Sequence, residues 1–242
     1  DLTVGNPFWS LLKFAIPVIL GNLFQLFYTL ADSVIVGKTL GADSLAAVGA
    51  TSIIIYFVFC FINGFTGGFG ICLGQRCGAK DEKGMRKSVA VSTLLSIIFT
   101  IVLTLICCLL AHQILRWMQI PEDISGEAYD YMFVVLLGTG ATVFYNMISN
   151  MLRALGDSKT PLYFLIIATI LNIFLALLFI IQFGWGVPGS AVALVIAQGF
   201  SALLCIVYIV KKFPILRLQK QDWNFDWNFA WEHLRMGLPM AV

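Results

Sequence analysis

Asp32 is the residue in this chain whose chemistry most needs explaining. It stands inside an apolar run between Lys13 and Lys38, nearer the second. A carboxylate in the hydrocarbon core of a membrane costs about 2.5–3.5 kcal/mol, so such a residue faces a partner or a water-filled cavity. Asn22, Gln25, Thr29 and Asp32 follow an i, i+3, i+7, i+10 spacing and share one helix face. That face is expected to look into a bundle rather than at lipid. Three roles are open to Asp32. It can take and release a proton, it can coordinate a sodium ion together with carbonyls and amides, or it can hold helices together by hydrogen bonds alone.

Other polar residues interrupt later apolar runs. Asn146 and Asn150 lie one turn apart, Thr169 and Asn172 share a face whose next position is Ala176, and Gln198 is followed by Ser201. Each amide alone is interhelical glue, worth about 0.6–2 kcal/mol. Together they point to a bundle with a polar interior, lined by Asn22, Gln25, Thr29, Asn146, Asn150, Thr169 and Gln198. No nucleophile with its base, oxyanion donor set or carboxylate pair is arranged for catalysis, so an enzyme is not expected. Nor is a resident metal or cofactor. Five of the cysteines lie within apolar runs, and neither His112 nor His233 sits beside a cysteine pair at zinc-ligand spacing. Asp81, Glu82, Glu122, Asp123 and Glu127 read as solvated loop charges.

The elements that carry these residues must cross a membrane. Of the 242 residues, 60% are hydrophobic and 12% charged. A soluble domain has about 45–50% apolar and about 25% charged residues. The net charge of +2 forms no basic stripe, so nucleic-acid binding is excluded as well. Six stretches approach or exceed the roughly 20 apolar residues that a spanning helix needs. They are Leu11–Val36, Leu45–Leu73, Ser88–Leu110, Tyr129–Leu152, Pro161–Phe183 and Pro188–Val210.

Arg76, Lys80, Lys83, Arg86, Lys87, Arg153, Lys159, Lys211, Lys212, Arg217 and Lys220 fall on one side of such a bundle, with Lys13 near the amino terminus. Lys38 and Arg116 face them from the other side. The positive-inside bias places both chain ends in the cytoplasm of a cell whose plasma membrane holds the protein. The six tryptophans fall near span ends, at headgroup depth. Pro161 and Pro188 open their helices. Gly70, Gly74 and Gly78 have the spacing that lets helix backbones approach closely, with flexing as a second use.

The passage Trp9-Ser-Leu-Leu-Lys-Phe-Ala-Ile-Pro17 returns near the end as Trp231-Glu-His-Leu-Arg-Met-Gly-Leu-Pro239. Six spans bring the chain back to its starting side, so the repeat is parallel, as in many secondary transporters. The expected organisation is a six-helix lobe over 1–212, a cytoplasmic linker over 213–229, and the start of a second lobe over 230–242. That second lobe would be required in cis, because alternating access rocks one lobe against another.

Several short passages then carry a family resemblance: Ala31-Asp32-Ser33 through Gly37; Leu40-Gly41 with Leu45-Ala46-Ala47-Val48-Gly49; Gly74-Gln75-Arg76-Cys77-Gly78-Ala79; Leu152 through Pro161; and Leu171-Asn172-Ile173. In order and placement they resemble the MATE (multidrug and toxic compound extrusion) family of the MOP flippase superfamily. The resemblance implies an all-α polytopic membrane protein, one six-transmembrane-helix lobe of a twelve-helix transporter. It implies antiport of small organic, often cationic, compounds against protons or sodium. It puts the coupling ion at Asp32 and Asn172. The family's span-five aspartate and span-six threonine are replaced here by Ala176 and Leu194. Both changes remove oxygen ligands, which penalises sodium more than a proton. A flippase for a lipid-linked precursor is the alternative, disfavoured at this stage because no arginine or lysine falls mid-span.

Overall fold

The computed structural model describes residues 7–216, 218, 223 and 226–241; Arg217, Lys220 and most of the expected linker lie outside them. Among the described residues the secondary structure is helical throughout. The helices are α1 (Pro7–Thr39), α2 (Ala42–Gly78), α3 (Glu82–Trp117), α4 (Glu122–Leu137), α5 (Thr139–Ala154), α6 (Lys159–Leu177), α7 (Gly186–Lys212) and α8 (Trp227–Ala241). A π-helical turn, Leu178–Gln182, prolongs α6.

Most helices outrun the apolar stretches that announce them. The second runs Ala42–Gly78 where the apolar stretch gave Leu45–Leu73, and the third runs Glu82–Trp117 where it gave Ser88–Leu110. Hydrophobicity marks only the hydrocarbon, whereas the helix continues until capping chemistry stops it. At α3 the cap is the Asp81 carboxylate, which accepts a hydrogen bond from the Gly84 amide at 2.9 Å.

The fourth span is a correction. It is not one straight helix over Tyr129–Leu152 but two, α4 and α5, meeting at 44°. The break falls at Gly138, where Val195 of α7 packs against bare backbone; a Cβ there would come within 2.7 Å of a Val195 methyl. Beside it the Thr139 hydroxyl bonds the Leu136 carbonyl at 2.8 Å and the Thr104 hydroxyl at 2.7 Å. Such back-bonding competes with the helix ladder and bends it. Counting α4–α5 as one, six spans are long and apolar enough to cross a membrane among the described residues.

The bundle is apolar outside, and polar residues are set within its apolar core. Ile98, Ile101, Leu105 and Leu109 of α3 and Ile167, Ile170 and Phe174 of α6 stand exposed, as lipid-facing residues must. Ser92, Thr139, Asn172, Ser190 and Ser201 are buried. All six tryptophans are exposed, and the six cysteines are free thiols.

Of the glycines singled out in the sequence, Gly70 meets the backbone of α5 closely, its Cβ position 3.1 Å from the Asn150 carbonyl oxygen. Gly78 has nothing near it, and Gly74 meets only the Ala154 methyl at an ordinary 3.7 Å. A tighter crossing is at Gly64 and Gly68 of α2, whose Cβ positions are occupied by the backbone of α8 around Met240 and Gly237. Polar and aromatic contacts clamp the start of α8 nearby. Arg76 pairs with Glu232, Lys87 pairs with Asp226 at 2.8 Å, both cations lie over the Phe229 ring, and the buried His233 meets the Ser88 hydroxyl at 2.7 Å. Pro239 lies within α8 as Pro17 lies within α1.

At the same basic end, Asp157 ties α6 to α7. It accepts from the Thr160 amide at 3.1 Å, the Thr160 hydroxyl at 2.8 Å, the Tyr208 hydroxyl at 2.8 Å and the Lys212 ammonium at 3.2 Å. Burial pushes its carboxyl up, but those donors outweigh burial and hold it below the ordinary carboxylate value.

Candidate functional site

Asp32 is 2% exposed and joins three helices. Its Oδ2 accepts a hydrogen bond from the Tyr131 hydroxyl of α4 at 3.1 Å, and its Oδ1 accepts one from the Ser190 hydroxyl of α7. One turn earlier on α1, the Tyr28 hydroxyl donates to the Leu194 carbonyl at 3.1 Å. The carboxylate is therefore the node where α1, α4 and α7 meet. Ionised, it can accept from both hydroxyls; protonated, it also carries an O–H donor that needs an acceptor of its own.

Asn172 is fully buried on α6, and both polar atoms of its amide lack a hydrogen-bond partner. Thr169 spends its hydroxyl on the Leu165 carbonyl at 2.8 Å. Ala176 packs in an apolar cluster with Phe179 and Ala193, so the position that would carry the family's second aspartate is closed to water. No group of three His, Cys, Asp or Glu residues able to hold a metal ion occurs among the described residues.

A separate cavity of about 100 Å³ opens between α1, α2, α5, α6 and α7. It brings together Asn22, Gln25, Asn146 and Gln198 of the expected lining. Thr29, Asn150 and Thr169 do not reach it. Thr29 is exposed and bonds the Gln25 carbonyl at 3.2 Å. Asn150 instead donates to the Thr66 hydroxyl of α2 at 3.2 Å, the interhelical use.

The cavity wall also holds residues that spacing alone did not reveal: Tyr28, Asn63, Tyr145 and, above all, Arg153. No arginine or lysine falls mid-span, but one from a span end reaches this wall. Arg153 belongs to the last turn of α5, not to a loop, and its guanidinium folds back toward Gly21 of α1, whose Cβ position is 3.9 Å from Nη2. Its Nε is buried without a hydrogen-bond partner. No carboxylate lines the cavity among the described residues.

Three kinds of similarity accompany this geometry. The MatE family model matches residues 17–178. "Probable multidrug resistance protein YpnP" of Bacillus subtilis is 34% identical across the whole of this chain, which covers 54% of it. "Probable multidrug resistance protein YoeA" of the same organism is 30% identical, over 96% of this chain and 52% of its own length. Among solved structures, a MATE crystal structure in a bent conformation superposes with a TM-score of 0.90 at 28% identity, covering 98% of this chain and 53% of that one. A MOP superfamily transporter from Pyrococcus furiosus gives 0.88 at 29% identity, over 98% and 52%. The chain thus spans about half the length of the relatives it matches.

Proposed function

The chain belongs to the MATE family, and from that premise we propose that it forms the amino-terminal lobe of a multidrug antiporter, coupled to an ion at Asp32. The relatives' names support efflux of small organic compounds. Their doubled length supports a second lobe, begun by α8, acting in cis. The basic end would face the cytoplasm of the cell membrane.

One observation carries the coupling step: the buried Asp32 carboxylate is held by hydroxyls from two other helices, Tyr131 and Ser190. A proton binding there removes the charge that strengthens both ties and adds a donor, loosening the hold on α1. No second charge is needed. Sodium asks for several oxygens; Ala176 offers no side-chain oxygen, and Asn172 supplies a single amide oxygen. The reading is therefore proton coupling, with Asn172 as an unpartnered amide available once the ties to Asp32 change.

The test is dye efflux from vesicles containing the intact protein, driven by an imposed proton gradient, with Asp32→Asn alongside. Proton-driven efflux lost in the variant is the expected result. Efflux that ignores protons but follows sodium, or that survives Asp32→Asn, removes this coupling scheme. A second reading, a flippase for a phosphate-bearing lipid-linked precursor, is favoured by the guanidinium of Arg153 in the cavity wall.

A further inference from the structure

We infer that the cavity beside Arg153 is a subsite for an oxyanion, a carboxylate or phosphate group carried on an amphipathic organic molecule. The inference deepens the transporter reading by naming the chemistry of its cargo, and rests on it only for calling that molecule cargo. Guanidinium presents a planar fork of donors that matches both groups. Here that fork lies in a cavity whose wall also holds the amides of Asn22, Gln25, Asn146 and Gln198, uncharged and able to donate, whereas the Tyr145 hydroxyl is spent on the Pro161 carbonyl at 3.3 Å. None supplies a negative charge to this half-buried cation. Nε lacks a hydrogen-bond partner, which leaves a donor open to a ligand.

Size sharpens the inference. About 100 Å³ accommodates a head group but not a drug-sized molecule, for which pockets run to about 300–1,000 Å³. The apolar body of the ligand must therefore lie beyond the lobe, along the open side of α1 where Asn22, Leu26 and Thr29 are exposed. The anion subsite is also distinct from Asp32. Tyr28 stands between the two, lining the cavity while its hydroxyl is spent on the Leu194 carbonyl.

The test is calorimetric titration of the intact protein, in a neutral detergent, with octyl phosphate and with octyltrimethylammonium as the matched cation. Saturable octyl phosphate binding is expected. It should weaken at least tenfold in Arg153→Gln and less in Arg153→Lys. Gln25→Glu, nearly isosteric, gives the guanidinium an internal partner and should weaken binding similarly, so the inference stays testable if Arg153→Gln fails to fold. Displacement by short-chain phosphatidylglycerol would identify a lipid head group as the source, and its failure would point to a free organic anion; both support the subsite. Tighter binding of the cation, absence of saturable phosphate binding, or binding unchanged in both variants would overturn it. Because this is equilibrium binding, a failed efflux experiment leaves it standing, and its own failure leaves proton coupling untouched.

Discussion

Alanine in place of Gly68 should destabilise the protein, while alanine in place of Gly74, six residues along the same helix, should stabilise it. Both glycines lie inside α2, so the helix-propensity gain of removing a glycine, about 0.5–1 kcal/mol, is common to them. What differs is the space outside. At Gly74 the new methyl meets the Ala154 methyl at 3.7 Å, ordinary contact. At Gly68 it would sit 2.7 Å from the Met236 carbonyl carbon, against an optimum of about 3.5–4.0 Å. The obstruction is backbone, so no rotamer change relieves it. Helix α8 must retreat by about 1 Å, and a gap of that size forfeits a quarter to a half of each contact along the crossing. Overpacking of this kind costs about 1–3 kcal/mol, which exceeds the propensity gain. The assay is detergent-driven unfolding of the intact protein followed by circular dichroism. Gly68→Ala should unfold earlier than wild type and Gly74→Ala later. Equal midpoints, or the reverse order, would refute the backbone-on-backbone crossing.

Asp157 supplies a pH signature. Its carboxyl sits below its unfolded value of about 3.9, so its stabilisation is complete above that value and is lost as pH falls through the lower folded value. The difference in unfolding midpoint between wild type and Asp157→Asn should be constant near neutrality and shrink below about pH 4; a constant difference down to pH 3 would contradict the donor cluster. Gly138→Ala should destabilise through collision with Val195, and Val195→Ala should recover part of the loss, giving a coupling of about 0.5–3 kcal/mol in a double-mutant cycle. Strict additivity would mean that the bend has another cause.

Asp32 was legible in the sequence because an aspartate in an apolar run is costly wherever the helix packs. The stripe around it was legible only in part. At about 100° per residue, Tyr28 and Asp32 lie about 40° apart, and Thr29 lies about 60° beyond Asp32. The boundary of helix contact falls inside that arc, so Tyr28 and Asp32 are buried while Thr29 is exposed. Periodicity gives a face; only packing gives its edge. Tyr131 and Ser190 carry no local signal, since each meets Asp32 from another helix. Arg153 was legible only as one of the basic residues at that end: a long side chain in the last turn of a helix can turn outward to water or back into the bundle, and residue type does not distinguish the two. The broken fourth span had a signal in Gly138-Thr139-Gly140. Glycines within a span are common enough, however, that the collision with Val195 is what decides it.

That bend sets a ratio of movements. Tyr131, bonded to Asp32, rides on α4, and Arg153 rides near the far end of α5, so the two sites occupy opposite arms of one angled lever with its fulcrum at Gly138. The α5 arm of 16 residues is about 24 Å long. Opening or closing the 44° angle by about 5° sweeps its far end through about 2 Å at that length. A flexing of that size at Gly138 would thus move the guanidinium by a distance comparable with the length of a hydrogen bond.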